Sequence, residues 1–171
     1  MEIAVRPIIN SDLPALHVIN QTGVPGVSSE SQSSLAEWIN LSTGFTAVDA
    51  GNTPLGFMTL IEPGTLAYDS ENLRWFERYI AETGADLIYV DRIAIAKTAR
   101  DHGVGSALYH AAFAAFVDRQ LIGCEINIEP PNPGSMRFHE RLGFSRVGER
   151  VYDGGRKSVA YYVRKLSVDF R

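Results

Sequence analysis

Residues 87–117 read LIYVDRIAIAKTARDHGVGSALYHAAFAAFV, and three consecutive signals in them decide how the chain folds. Leu87 to Ala96 is apolar and rich in Ile, Val and Tyr, the composition of a buried strand. Thr98 to Gly105 follows as a loop carrying Arg100, Gly103 and Gly105, glycines that let the backbone approach a ligand with no Cβ in between. Ser106 to Val117 reads as a helix, because Leu108, Ala112, Ala115 and Phe116 recur at i, i+4, i+7 and i+8 and so form one buried face. A strand that enters a Gly-containing turn and opens a helix leaves unpaired N–H groups and the positive end of a helix dipole aimed at one place. That place suits a phosphate. Strand, glycine turn and helix recur throughout α/β folds, so this pattern alone does not separate phosphate binding from plain chain reversal.

The order Arg100-x-x-Gly103-x-Gly105 after Ile93-Ala94-Ile95 is more specific. No Lys-Ser/Thr follows the second glycine, which excludes the Walker loop, and the third glycine of the dinucleotide fingerprint is missing. The pattern resembles the acyl-CoA pyrophosphate loop of the GNAT superfamily of N-acyltransferases. Two further stretches carry the resemblance. Asn132-Pro-Gly-Ser-Met-Arg-Phe-His-Glu-Arg-Leu-Gly143-Phe144 is similar to the family's next helix and its Leu-Gly-Phe exit, and GFSRVGERVYDGGRKSVAYYVRKL to its last two strands. The match spans about Leu87 to Leu166 and is generic before that.

The resemblance implies acetyl-CoA as co-substrate. It places the pantetheine along the backbone of Ile93, Ala94 and Ile95, and the pyrophosphate on Arg100, Asp101, His102, Gly103, Val104, Gly105 and Ser106, with Asn132 as a polar partner. It also implies that the strands Leu87–Ala96 and Cys124–Ile128 run parallel and splay apart around the pantetheine.

Composition bounds the rest. A chain of 171 residues with 45% hydrophobic content suits one domain with a substantial core. A net charge of −4, with no Lys/Arg run interleaved with aromatics, disfavours nucleic-acid binding. No stretch approaches the ~18 apolar residues of a membrane span, the start lacks a basic, apolar leader, and Cys124 is the single cysteine. A cytoplasmic protein without metal, nucleic-acid or membrane partners is the expectation, with a homodimer through an exposed strand end left open.

Taken in order, the elements are β-α-α-β-β-(insert)-β-α-β-α-β-β. This predicts an α/β (α+β) domain over residues 1–171, a mixed, mostly antiparallel sheet with helices on both faces. Glu2–Arg6, Phe45–Ala50, Leu55–Ile61, Phe144–Tyr152 and Lys157–Ser167 are the remaining strands, the last two joined by Asp153-Gly154-Gly155. Helices are expected from Asn10-Ser11-Asp12 through Asn20, from Ser33 to Leu41 and from Asn132 to Leu142. Residues 63–86 are too long for a plain connection and contain a helix capped by Ser70 and running to Thr83. Asp69, Glu71 and Asn72 at its start, together with Asn127, are the acceptor-binding candidates, against the plain alternative of a solvated helix start. The loop Val24–Ser29 borders the acceptor pocket if the resemblance holds, and is otherwise a linker.

Amide formation from a thioester sets the demands on the site. An alkylamine of pKa ~10.4 costs about 4 to 5 kcal/mol to deprotonate at pH 7, whereas a thiol near ~8.5 costs about 2 to leave as thiolate. A base therefore matters more than an acid. Period-two alternation puts Asp91 on one strand face with Tyr89, Ile93 and Ile95, which makes Asp91 the base candidate and Tyr89 its water-bridging neighbour; a bulge, which the resemblance implies for this strand, would change that facing, and an ion pair with Arg92 or another basic residue is the alternative. Backbone N–H groups around Ile93 to Ile95 polarise the carbonyl. His139 stands where the family usually has a tyrosine proton donor, and histidine can serve in that role. The alternatives there are an ordinary helix-surface histidine, or Tyr109, Tyr161 or Tyr162 as donor. Two functions remain: an N-acetyltransferase acting on a primary amine of a small molecule, amino acid or peptide by direct attack, or a non-catalytic acyl-CoA-binding sensor.

Overall fold

In the computed structural model, which describes residues 1–166, the apolar runs pair into one seven-stranded sheet. The strands are β1 (Ala4–Pro7), β2 (Thr43–Val48), β3 (Pro54–Ile61), β4 (Leu87–Ile95), β5 (Leu121–Glu129), β6 (Ser145–Tyr152) and β7 (Lys157–Lys165). They lie side by side as β1-β2-β3-β4-β5-β7-β6, and only β4 and β5 run parallel. Helices α1 (Leu13–Gly23), α2 (Gln32–Asn40), α3 (Glu71–Thr83), α4 (Val104–Ala115) and α5 (Pro133–Arg141) cover the two faces. Leu16, Ile19 and Leu35 of α1 and α2 bury against Phe57 and Ala94, and Leu73 and Phe76 of α3 bury against Ile61, Tyr89 and Tyr161 on the same side. Leu108, Tyr109 and Ala112 of α4 fill the opposite face over Met58, Leu60, Ile88 and Val90.

The element order matches the sequence reading, with shifted ends. β5 begins at Leu121 rather than Cys124, because Leu121, Ile122 and Gly123 pair with Leu87, Ile88 and Tyr89. α4 begins at Val104, because Gly103 adopts φ 84° and turns the chain directly into the helix. Ser167, expected at the end of β7, lies outside the described residues.

α3 shows why the segment after β3 is a packed element rather than a loop. The Ser70 hydroxyl accepts from the Leu73 N–H and Gly84, at φ 71°, ends the helix. Its aromatics sit where the sheet lacks side chains: a Cβ on Gly123 would come 2.6 Å from Phe76, and one on Gly148 would overlap Trp75. Trp75 stacks on Tyr161 with ring centroids 3.9 Å apart. Burying a Phe-sized side chain contributes roughly 2 to 3 kcal/mol, so the insertion is anchored.

Two irregularities in β4 position the site. Thr59 pairs with Arg92 and Leu60 with Val90, which leaves Asp91 as an extra, bulged residue. The bulge resets the alternation, so that Tyr89 and Ala94 face the α1–α3 side while Ile93 and Ile95 pack toward α4. The expectation that Asp91 shares a face with Ile93 and Ile95 is thereby corrected. Further, β4 and β5 stay paired only from Leu87/Leu121 to Tyr89/Gly123 and then part, opening a gap in mid-sheet.

Candidate active site

A cleft of about 1390 Å³ occupies that gap and runs from the N-terminus of α4 to the start of α3. At the α4 end, the first helical bond joins Ala107 N–H to Gly103 C=O. The N–H groups of Val104, Gly105 and Ser106 precede it and, with the helix dipole, make an anion site. Arg100, Asp101, Gly103, Val104, Gly105 and Ser106 all line the cleft, as do Ile93, Ala94 and Ile95. His102 does not; it is exposed and its Nδ1 lies 2.6 Å from the Arg100 carbonyl. The two glycines have different jobs. No atom lies within 4 Å of a Cβ built on Gly103, whereas one on Gly105 would meet Phe138 at 3.0 Å and Ile95 at 3.2 Å. Gly105 therefore serves packing between α4, α5 and β4.

The other end of the cleft is acidic and phenolic. Tyr68 donates to Asp91 Oδ1 at 2.8 Å and Arg92 Nε to Asp91 Oδ2 at 3.3 Å, with the Asp91 side chain 6% exposed. Burial lifts the Asp91 carboxyl above its ordinary value, while Arg92 and the Tyr68 hydroxyl pull it back. Arg92 also reaches Asn20 at 2.8 Å, Ser28 at 3.2 Å and Glu30 at 3.2 Å, which ties the loop after α1 to the bulge. That loop, Val24 to Ser29, lines the cleft. Asp91 is thus in the ion pair that stood as the alternative to a base, and both of its oxygens are engaged.

Glu125 on β5 is the carboxylate that sequence reasoning missed. Tyr89 donates to its Oε2 at 2.7 Å, and enclosure pushes its pKa up to about 8, against the pull of the Tyr89 hydroxyl and with a further push from Asp91. The signal was present: in Cys124-Glu125-Ile126-Asn127 the alternation puts Glu125 on one face with Asn127, but a strand expected to start at Cys124 leaves Glu125 at its rim. Tyr68, Glu30 and Arg92 were missed as site residues because the bulge that gathers them is invisible in the periodicity.

The remaining candidates separate. Asp69, Asn72 and Asn127 line the cleft, with the Asn127 amide donating to Pro25 C=O at 3.3 Å. Glu71 is exposed and does not line it. Asn132 lines the cleft but commits its side-chain oxygen to the Ser135 N–H as the α5 cap. His139 is not a surface residue; it is 4% exposed, and burial holds its pKa below the ordinary value. Its Nδ1 lies 2.7 Å from the Ser135 carbonyl and its Nε2 2.7 Å from the Tyr109 hydroxyl. A neutral ring then donates through Nδ1 and accepts at Nε2, and it holds no spare proton. Cys124 is buried and its thiol is pushed up by burial, which removes it as a nucleophile. Among the described residues no group of His, Cys, Asp and Glu is placed to hold a metal, and no helix is long and apolar enough to cross a membrane.

A parallel strand pair splays beside the amide-rich start of a helix, and the cleft between them ends at an anion site. A model of the acetyltransferase (GNAT) family matches residues 13–144. Among solved structures, the ribosomal-protein-S18-alanine N-acetyltransferase of Escherichia coli superposes with a TM-score of 0.72 at 16% identity, covering 99% of this chain and 97% of that one. NAA60 of Arabidopsis thaliana, in complex with a bisubstrate analogue, gives 0.72 at 18% identity over 99% and 100%. A phosphinothricin acetyltransferase of Sinorhizobium meliloti, in complex with AcCoA, gives 0.71 at 18% over 98% and 90%. A search of curated proteins finds no match. The chain belongs to the acetyltransferase (GNAT) family.

Proposed function

We propose that this enzyme acetylates a primary amine of a small molecule, amino acid or peptide by direct attack on the thioester, with Glu125 as the base. The observation that supports it is the Glu125 carboxyl, held by the Tyr89 hydroxyl at 2.7 Å in the gap beside Asp91. Above its pKa of about 8 the Glu125 carboxylate can take the proton of an acceptor that enters as ammonium. The amine nitrogen then forms the C–N bond, the C–S bond breaks, the sulfur leaves as thiolate, and the nitrogen's second proton passes to that thiolate or to solvent. The α4 N–H groups of Val104, Gly105 and Ser106 hold the pyrophosphate, and the β4 backbone near Ile93 to Ile95 holds the pantetheine and polarises the carbonyl. Asp91, fixed by Tyr68 and Arg92, sets the field, and Arg92 anchors the acceptor loop. Tyr89 orients Glu125, and Asp69, Asn72 and Asn127 meet the rest of the acceptor.

His139 orients Tyr109 at the sulfur end rather than giving up a proton itself, and the ~2 kcal/mol cost of an unprotonated thiolate makes this the lesser need. The saturated His139 ring is also the one observation that favours the alternative, a non-catalytic acyl-CoA sensor. Release of free CoA thiol on adding a panel of primary amines to protein and acetyl-CoA separates the two. The enzyme releases thiol in an amine-dependent manner; a sensor binds acetyl-CoA and releases none.

A further inference from the structure

The acceptor end of the cleft is walled by rings that the reaction above does not use. Trp38 of α2, Tyr68 before α3, Tyr89 of β4 and Tyr152 at the end of β6 all line it, and all four belong to the apolar cluster that anchors α3. Trp38 is the member whose burial its own helix does not need. Leu35 and Ile39 carry α2 into a different cluster, against α1, whereas Trp38 stays half-buried and meets Tyr68 edge-on, with ring centroids 5.0 Å apart at 76°.

The polar atoms of this wall are already engaged. Tyr68 gives its proton to Asp91 at 2.8 Å and Tyr89 gives its own to Glu125 at 2.7 Å, while the Asn72 side-chain oxygen accepts from Tyr161 at 2.8 Å. The charged Asp69 and Lys157, which also line the cleft, are exposed to solvent. What the wall offers a guest is therefore ring carbon rather than free hydroxyl. The same two tyrosines tie the wall to the chemistry, since their rings form it and their hydroxyls hold the two carboxyl groups. An amine whose nitrogen reaches Glu125 lays its carbon body along these rings.

We propose that Trp38 sets the specificity of the acceptor end and that the acceptor is an arylalkylamine, a primary amine on a short alkyl chain ending in an aromatic ring that packs against Trp38 and Tyr68. The inference rests on the amine-acetylation reading of the same site and names the body that carries the amine. Aromatic rings in edge-to-face or offset contact gain more than the area they bury. An amino sugar would instead lay hydroxyls against ring carbon, with no partner for them there.

The test uses the full chain with acetyl-CoA and follows CoA release with benzylamine, phenethylamine and 3-phenylpropylamine, each beside its cyclohexyl counterpart and its ring-free alkylamine. In the wild type the best phenyl-ended amine should exceed its alkylamine in kcat/KM by about 10- to 100-fold, the worth of burying a Phe-sized group. It should exceed its cyclohexyl counterpart by about 3- to 10-fold, the added worth of a ring pair. Trp38→Leu, which keeps apolar bulk at that position, should abolish the phenyl-over-cyclohexyl preference, and Trp38→Phe should keep it. All three proteins see the same amines, so amine basicity cancels from the comparison. A wild type that favours the alkylamines, the cyclohexyl series or 1,4-diaminobutane, or a phenyl preference that survives Trp38→Leu, overturns the ring site and leaves amine acetylation standing. No CoA release with any of these amines overturns the amine reading and this inference with it.

Discussion

Tyr89 donates its phenolic proton to Glu125 at 2.7 Å across the point where β4 and β5 part. The pair joins the two strands just where their backbone ladder ends, and it sets a carboxyl inside the opening. Glu125 therefore carries a stability cost along with its role. Its folded pKa of about 8 lies above the ordinary carboxyl value of 4.5, so the folded chain holds a proton that the unfolded chain has lost between those limits. Stability from this group falls as pH rises through that window. Glu125→Gln should be more stable than the wild type at pH 8 to 9, by up to a few kcal/mol, and so unfold at higher temperature, with the gap closing toward pH 5. Thermal melts across pH check this; a variant less stable at pH 9 contradicts it.

Removing the Tyr109 hydroxyl should leave His139 Nε2 buried without a donor, so Tyr109→Phe is expected to cost about 1 to 3 kcal/mol in urea unfolding. Because His139 titrates below its ordinary value of 6.5, its folded state takes up fewer protons, and its share of stability is lost as pH drops below about 6.5. In kinetics, Tyr109→Phe and His139→Phe should each lower kcat by at most tens-fold. The double variant should be no worse than either single one.

Arg92 pins the acceptor loop, so Arg92→Gln strands the buried Asp91 carboxylate and should cost about 3 to 5 kcal/mol. Glu30→Gln removes only the partly exposed partner, whose side chain is 17% exposed, and should fold normally while raising KM for the amine and leaving KM for acetyl-CoA in place. Equal effects on both substrates would place the loop's role elsewhere.

The two loop glycines should fail in different ways. Gly103→Asp meets no neighbouring atom, though the φ of 84° strains any side chain there; it adds a negative charge at the anion site and should weaken acetyl-CoA binding by about 10-fold or more by titration calorimetry, at a small cost in stability. Gly105→Ala drives a methyl into Phe138 and Ile95 and should show as lost stability, about 1 to 3 kcal/mol.

The contrast between these glycines marks what the sequence carries. Helix faces, caps and hairpins are local, so the element order, Ser70 as a cap and the Asp153-Gly154-Gly155 turn were legible. The loop from Arg100 to Gly105 was legible as an anion site, but its second glycine's partner, Phe138, lies more than thirty residues away. The bulge at Asp91 depends on the register with β3, and Glu125 gains its meaning only from Tyr89 on a strand that pairs with β5 for three residues. His139 looked like a surface residue or an acid because nothing local tells that Tyr109 waits on the neighbouring helix.

The most direct measurement of the central claim is the pH dependence of kcat/KM for an alkylamine acceptor, in the wild type and in Glu125→Gln. With Glu125 as base, the wild-type rate should rise with pH through an apparent pKa near 8. The variant should lose up to the ~4 to 5 kcal/mol of amine deprotonation at pH 7 and recover only as the amine itself deprotonates near ~10. Superimposable profiles for the two proteins would contradict the assignment of Glu125 as the base.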